Sequence, residues 1–143
     1  MCMSKIILVM LLCSCCKFGF AQCGKPIILI SQKTEYLDEN YSLQRSVDEK
    51  STIEINKSEI IINPGNDQRK MTGVIKGGSC SWTKPFQDGK WVIKATFTKE
   101  GEGTRNATVT IEGKDGKVSF LMEIVEMPDR KIRVWADTFE EKK

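Results

Sequence analysis

Between residues 91 and 136 apolar and polar side chains alternate with a period of two. Trp91, Ile93, Ala95 and Phe97 share one face of a stretch whose other face is Lys94, Thr96 and Thr98. Ala107, Val109 and Ile111 alternate with Thr108, Thr110 and Glu112, and Val118, Phe120, Met122 and Ile124 follow on one face of the next run. Period two is the repeat of a strand that buries one side, so the pattern predicts strands over 91–98, 105–112 and 118–124. The text between them is turn text. Asp115-Gly116 is the dipeptide of a two-residue hairpin in which both residues take positive φ. Lys99–Gly103 is a glycine-bearing loop, and Met127-Pro128-Asp129-Arg130 turns the chain into a last strand over 131–136.

Upstream, 52–55 and 59–62 are short β-branched runs on either side of Asn56-Lys57-Ser58, and Asn63-Pro64-Gly65 leads into a strand over 69–76. Pro26–Ile30 reads as an eighth strand or as an extended arm held by Cys23. Residues 35–50 are polar with scattered apolar anchors and read equally as a short helix or irregular loop and as a strand. Gly77-Gly78-Ser79-Cys80-Ser81-Trp82 reads as an aromatic-tipped loop on the rim of the sheet that either carries binding function or lets Trp82 and Phe86 plug the end of the core while Cys80 anchors the disulfide, and 138–143 as a polar tail. The predicted fold is all-β, an antiparallel meander of seven to eight strands forming a small barrel, with a two-sheet β-sandwich as the alternative. One domain is expected over 22–143, with 22–50 as an N-terminal arm or irregular segment and 51–137 as the meander.

The first residues change the picture. Lys5, an apolar run from Ile6 to Cys16, and Gly19-Phe20-Ala21 before Gln22 have the layout of a secretory signal with small residues before the cleavage point. A rival site is Leu12-Cys13-Ser14-Cys15, a lipobox that would place a lipid anchor on Cys15. The apolar run is too short to cross a bilayer as a helix. The expected address is secreted or periplasmic, with a lipoprotein of the outer membrane as the alternative. Loss of 1–21 also removes four of the six cysteines and leaves Cys23 and Cys80, which in an oxidising compartment form a bridge. It removes Lys5 and Lys17 as well, so 22 basic residues against 19 acidic become 20 against 19, and no electrostatic case for nucleic acid remains.

Chemistry is sparse. The chain has no histidine, which excludes the usual Ser-His-Asp and Cys-His arrangements and every imidazole metal site. No phosphate-binding glycine loop is present, and adjacent acids such as Asp48-Glu49 point to opposite faces of a strand. No catalytic residue, metal ligand or cofactor is assigned.

The leader ending Phe20-Ala21-Gln22, the meander and the Asp115-Gly116 hairpin together resemble the small secreted β-rich, lipocalin-like proteins of Bacteroidota-type bacteria. The resemblance implies an envelope protein that binds small apolar or peptide ligands. The expected function is therefore a non-enzymatic binding module, with Trp82, Phe86, Trp91, Ile93 and Phe97 as the ligand-contacting set. The alternative is a structural or interaction protein that docks to an envelope partner through a sheet edge or outward Trp135.

Overall fold

The computed structural model describes residues 23–65, 69–99 and 101–143. The leader, the cleavage point before Gln22 and the lipobox Cys15 lie outside them.

Nine strands account for most of the described chain: β1 (Ile27–Leu37), β2 (Leu43–Ile55), β3 (Glu59–Asn63), β4 (Met71–Lys84), β5 (Asp88–Lys99), β6 (Gly103–Lys114), β7 (Lys117–Ile124), β8 (Met127–Trp135) and β9 (Thr138–Glu141). Each of β1 to β8 is antiparallel to the next. β1 pairs with β2 along one edge and with β8 and then β9 along the other, which closes an eight-stranded barrel with one extra strand. The barrel reading therefore holds, and the sandwich alternative falls.

β9 continues the line of β8. Thr34 faces Val134 and Ile30 faces Thr138, four residues on in each strand, so the register never slips. Pairing is interrupted where β1 bulges against β2 between Ser31 and Lys33. Side chains replace the missing ladder there. The Gln32 amide donates to the Asp137 carboxylate at 2.8 Å, and the Asp137 amide donates to the Ile30 carbonyl. Buried backbone groups are thus partnered through the seam.

Inward positions follow the alternation. Ile93, Ala95, Ala107, Val109, Ile111, Val118, Phe120 and Met122 are buried, together with Ile27, Leu29, Ile53, Ile55, Ile60 and Ile62 from the first half of the chain. Full burial of a side chain such as Val109 or Phe120 contributes roughly 1.5–3 kcal/mol, so these rows, more than the ladder, hold the barrel. Asp115 and Gly116 take φ of 53° and 81°, as the hairpin requires.

Four stretches differ from the expectation. Residues 27–37 and 43–55 are the strands of one long hairpin. The first half of β2 is largely exposed, with only Val47 and Glu49 half-buried, and so carries no apolar alternation. Residues 77–82 belong to β4, not to a loop. The two glycines sit at a β-bulge between Ile75 and Gly77, after which Trp82 points inward and is 4% exposed. The tail contributes β9, with Phe139 as its inward residue. The turn before the last barrel strand is Val125-Glu126, and Pro128–Arg130 bulge out of β8, where a missing amide costs no ladder bond.

Trp82 is accommodated because its neighbours lack side chains. A Cβ on Gly113 would lie 2.7 Å from Trp82 Cζ3 and from the Gln87 carbonyl, and one on Gly89 would lie 2.6 Å from Trp82 Cδ2. The indole meets Phe139 at 5.8 Å, and Phe86 meets Phe139 edge-on at 5.0 Å. These three rings from β4, the β4–β5 turn and β9 plug one end of the barrel. Cys23 is bridged to Cys80 across 57 residues, tying the segment before β1 to β4 at that end.

Gly113→Val should lower the unfolding free energy by about 1–3 kcal/mol through overpacking against Trp82, read from the denaturant midpoint at unchanged slope. Reduction of the Cys23–Cys80 bridge should cost about 2–4 kcal/mol by releasing a long loop in the unfolded chain. Equal midpoints with and without reductant would show that the bridge does not hold this end.

Candidate functional site: the open mouth of the barrel

The two ends of the barrel differ. Turns 56–58, 85–87 and 115–116 and both described termini gather at the plugged end. The other end carries turns 38–42 and 125–126 together with residues 64–65, 69–70 and 101–102. Here three adjoining hollows of about 50, 550 and 160 Å³ meet at Met71. The smallest reaches inward to Phe120, Met122 and Val134, and holds one or two water molecules at most. The larger two form the mouth, floored by Met71, Met122, Ile124, Met127 and Ile132. β4, β7 and β8 supply this floor, and the rings beside it, Tyr36 and Phe97, line the hollows without closing them.

The rim is cationic. Arg45, Arg69, Lys99, Arg105, Arg130 and Lys131 line the larger hollows, against the carboxylates of Glu102 and Asp129 there and Glu49 in the inner one. Arg69 donates to Glu49 at 3.2 Å and to the Tyr36 hydroxyl at 3.4 Å, and these contacts hold its guanidinium more firmly protonated than usual, the Tyr36 bond being the larger cause. Glu49 Oε1 is buried and has no hydrogen-bond partner. Lys99 pairs with Glu102 at 3.6 Å. Arg45 stacks over the Tyr36 ring at 4.3 Å. Among the described residues neither Arg45 nor Arg130 has a carboxylate partner. An apolar floor under unpaired guanidinium groups suits a ligand with an apolar body and an anionic end.

One wall of the mouth is the β1–β2 hairpin tip, and a half-buried ion pair fixes it. Lys131 donates to Glu123 at 2.8 Å with its side chain 9% exposed. Tyr41, at φ 63°, lays its ring 4.6 Å from the same ammonium and donates its hydroxyl to Glu123 at 3.1 Å. The Glu123 hydrogen bond raises the Lys131 pKa above its ordinary 10.5, against desolvation. The Asp38 carboxylate accepts from the Asn40 and Ser42 amides and shapes the tip itself.

The residues expected to contact ligand are spread over three places. Trp82 and Phe86 belong to the plug. Trp91 and Ile93 line a separate groove beside the disulfide, at the opposite end from the mouth. Phe97 alone reaches the mouth, beside Met71. The methionine and isoleucine floor and the arginine rim went unread because each comes from a different strand, and no spacing along the chain brings them together. Leu121 is half-buried, and Trp135 is outward and exposed, donating its indole N–H to Glu35 at 3.0 Å beneath Arg133.

Because the folded-state pKa of Lys131 lies above the unfolded value, the pair's contribution is fully present below pH 10.5 and is lost as pH rises through the folded value. Wild type should therefore be more stable than Glu123→Gln at pH 8, and the gap should shrink above pH 10.5 in paired thermal-unfolding curves. A constant gap would mean that Glu123 acts through packing alone. No protein-family model, no curated protein and no solved structure matches this chain.

Proposed function

We propose that this chain is a non-enzymatic, extracytoplasmic binding module that takes a small apolar ligand with an acidic group at the open mouth of its barrel. One observation carries the reading. The barrel is plugged by aromatic rings at one end, whereas the other end keeps an apolar hollow of about 550 Å³ beneath a rim rich in unpaired arginine. Concave, largely apolar sites with a few convergent polar groups are the usual form of small-ligand pockets, and barrel mouths are a common place for them. The inner compartment of about 50 Å³ excludes all but water, so the ligand's apolar part rests on Met71, Ile124 and Ile132 at the mouth instead of running through the barrel. Export is supported by the leader and by the Cys23–Cys80 bridge, a bond that persists in oxidising compartments. Binding is favoured over catalysis because the chain lacks histidine, and because Glu49 and Glu102 at the mouth are tied to Arg69 and Lys99.

Anilinonaphthalene sulfonate, an apolar ring system with one anionic group, is a suitable probe. Its fluorescence should rise on the cooperatively folded protein. Met71→Arg should abolish the rise, and Arg45→Glu with Arg130→Glu should weaken binding about tenfold or more, as loss of charge-assisted contacts predicts. Trp82→Phe, at the plugged end, should leave it unchanged. Binding indifferent to the mouth substitutions would sink the proposal.

A further inference from the structure

The barrel wall is incomplete on one side. β3 stops pairing with β4 at Glu59 opposite Val74, and the last backbone bond across this seam is from the Ile75 amide to the Ser58 carbonyl. β4 runs on to Lys84, paired with β5 alone among the described residues. Its other edge from Lys76 to Thr83 presents unpartnered backbone donors and acceptors. A groove of about 270 Å³ lies along this edge, between Gly77–Cys80 on one side and Cys23, Gly24 and Lys57 on the other. Gly77 and Gly78 bring no side chain to it, so Ile75, Trp91 and Ile93 show through as its apolar floor. An unpaired strand edge beside a groove with an apolar floor is the arrangement that accepts an added strand.

Charge selects the occupant. No carboxylate lines the groove, and Lys57 is its one charged lining residue. Lys76 and Lys84 flank the free edge, and among the described residues none of these three exposed lysines has an ion-pair partner. A second copy of the chain would bring the same three cations against themselves, an arrangement that opposes edge-to-edge pairing. An extended segment with acidic residues at its ends meets them favourably.

We infer that the free edge of β4 from Lys76 to Thr83 binds an extended, acid-flanked segment of a partner protein by strand addition, with alternate apolar side chains of that segment resting on Ile75 and Trp91. The disulfide fixes the far wall of the groove, since Cys23 and Cys80 both line it. This surface lies at the end of the barrel away from the mouth, so it stands independently of small-ligand binding.

The test uses the exported, disulfide-bonded protein labelled with ¹⁵N and the peptide acetyl-Glu-Val-Thr-Val-Thr-Val-Glu-amide. Shifts and added exchange protection should fall on alternate amides between Lys76 and Thr83. A sister peptide with lysine at both ends should bind on the order of tenfold more weakly, as expected for a few exposed ion pairs. The triple variant Lys57→Glu, Lys76→Glu and Lys84→Glu, all at exposed positions, should reverse that preference, and N-methylation of the peptide backbone should abolish binding. Three results would overturn the inference: perturbation centred on Met71, Ile124 and Ile132 instead, equal affinity for the two peptides, or protection without peptide of those alternate 76–83 amides that point away from β5. In the last case sedimentation distinguishes a dimer from a monomer whose own chain fills the edge.

Discussion

Everything in this structure depends on β1 being paired on both edges. A sheet of eight strands without that closure would leave two long edges and a half-covered apolar face. Closure turns the inward positions into a sealed core. It is achieved across a difficult seam, because β1 bulges against β2 at Ser31–Lys33 and loses regular pairing with the β8–β9 line at the same level. The Asp137 carboxylate capping the Gln32 amide, and the Ser31 hydroxyl donating to the Lys33 carbonyl at 2.9 Å, let the register resume unchanged on the far side. Without those substitutes β9 would have no fixed place, and Phe139 would not reach Trp82.

An eight-stranded barrel is just wide enough for side chains to fill, so which residues point inward at each level decides whether a level is solid or hollow. At the plugged end the wall combines one very large side chain with none. Trp82 occupies the space left by Gly89 and Gly113. At the mouth the inward residues are Met71, Met122, Ile124 and Ile132, flexible or mid-sized, and the rings beside them, Tyr36 and Phe97, line the hollows without filling them. The asymmetry between plug and mouth is thus a matter of side-chain volume per level, carried by one repeated backbone geometry.

The legible parts of the sequence were those with one wet face and one dry face. Strands β5, β6 and β7 alternate cleanly because each is flanked by full-length neighbours, and Asp115-Gly116 fixes their register. The first half of β2 could not be read. It extends past β3 with most of its side chains exposed and only Val47 and Glu49 half-buried, so no apolar alternation is selected between Leu43 and Lys50. Gly77-Gly78 looked like a loop because glycine marks turns more often than bulges, and here it serves a bulge. The aromatic residues divide between the two ends: Trp82 and Phe86 fill space at the plug, whereas Phe97 stands beside the hollow at the mouth. The mouth carries no local signature, since its floor and rim are gathered from β1, β2, β4, β6, β7 and β8.

Unequal strand lengths link the two surfaces that remain open. β3 has 5 residues, whereas its neighbours β2 and β4 have 13 and 14. β2 therefore overhangs it toward the mouth, carrying Arg45 to the rim, and β4 overhangs it toward the plugged end, exposing the edge beyond Ile75. Lengthening β3 in either direction would cover one of these features at the cost of the overhang that creates it. The short strand is accordingly the feature that keeps an otherwise closed barrel from being sealed on every side. The same five residues, buried at Ile60 and Ile62, anchor both overhangs to the core. Loops and edges held by a rigid scaffold are where binding surfaces form, and here the scaffold supplies both from a single departure from regularity.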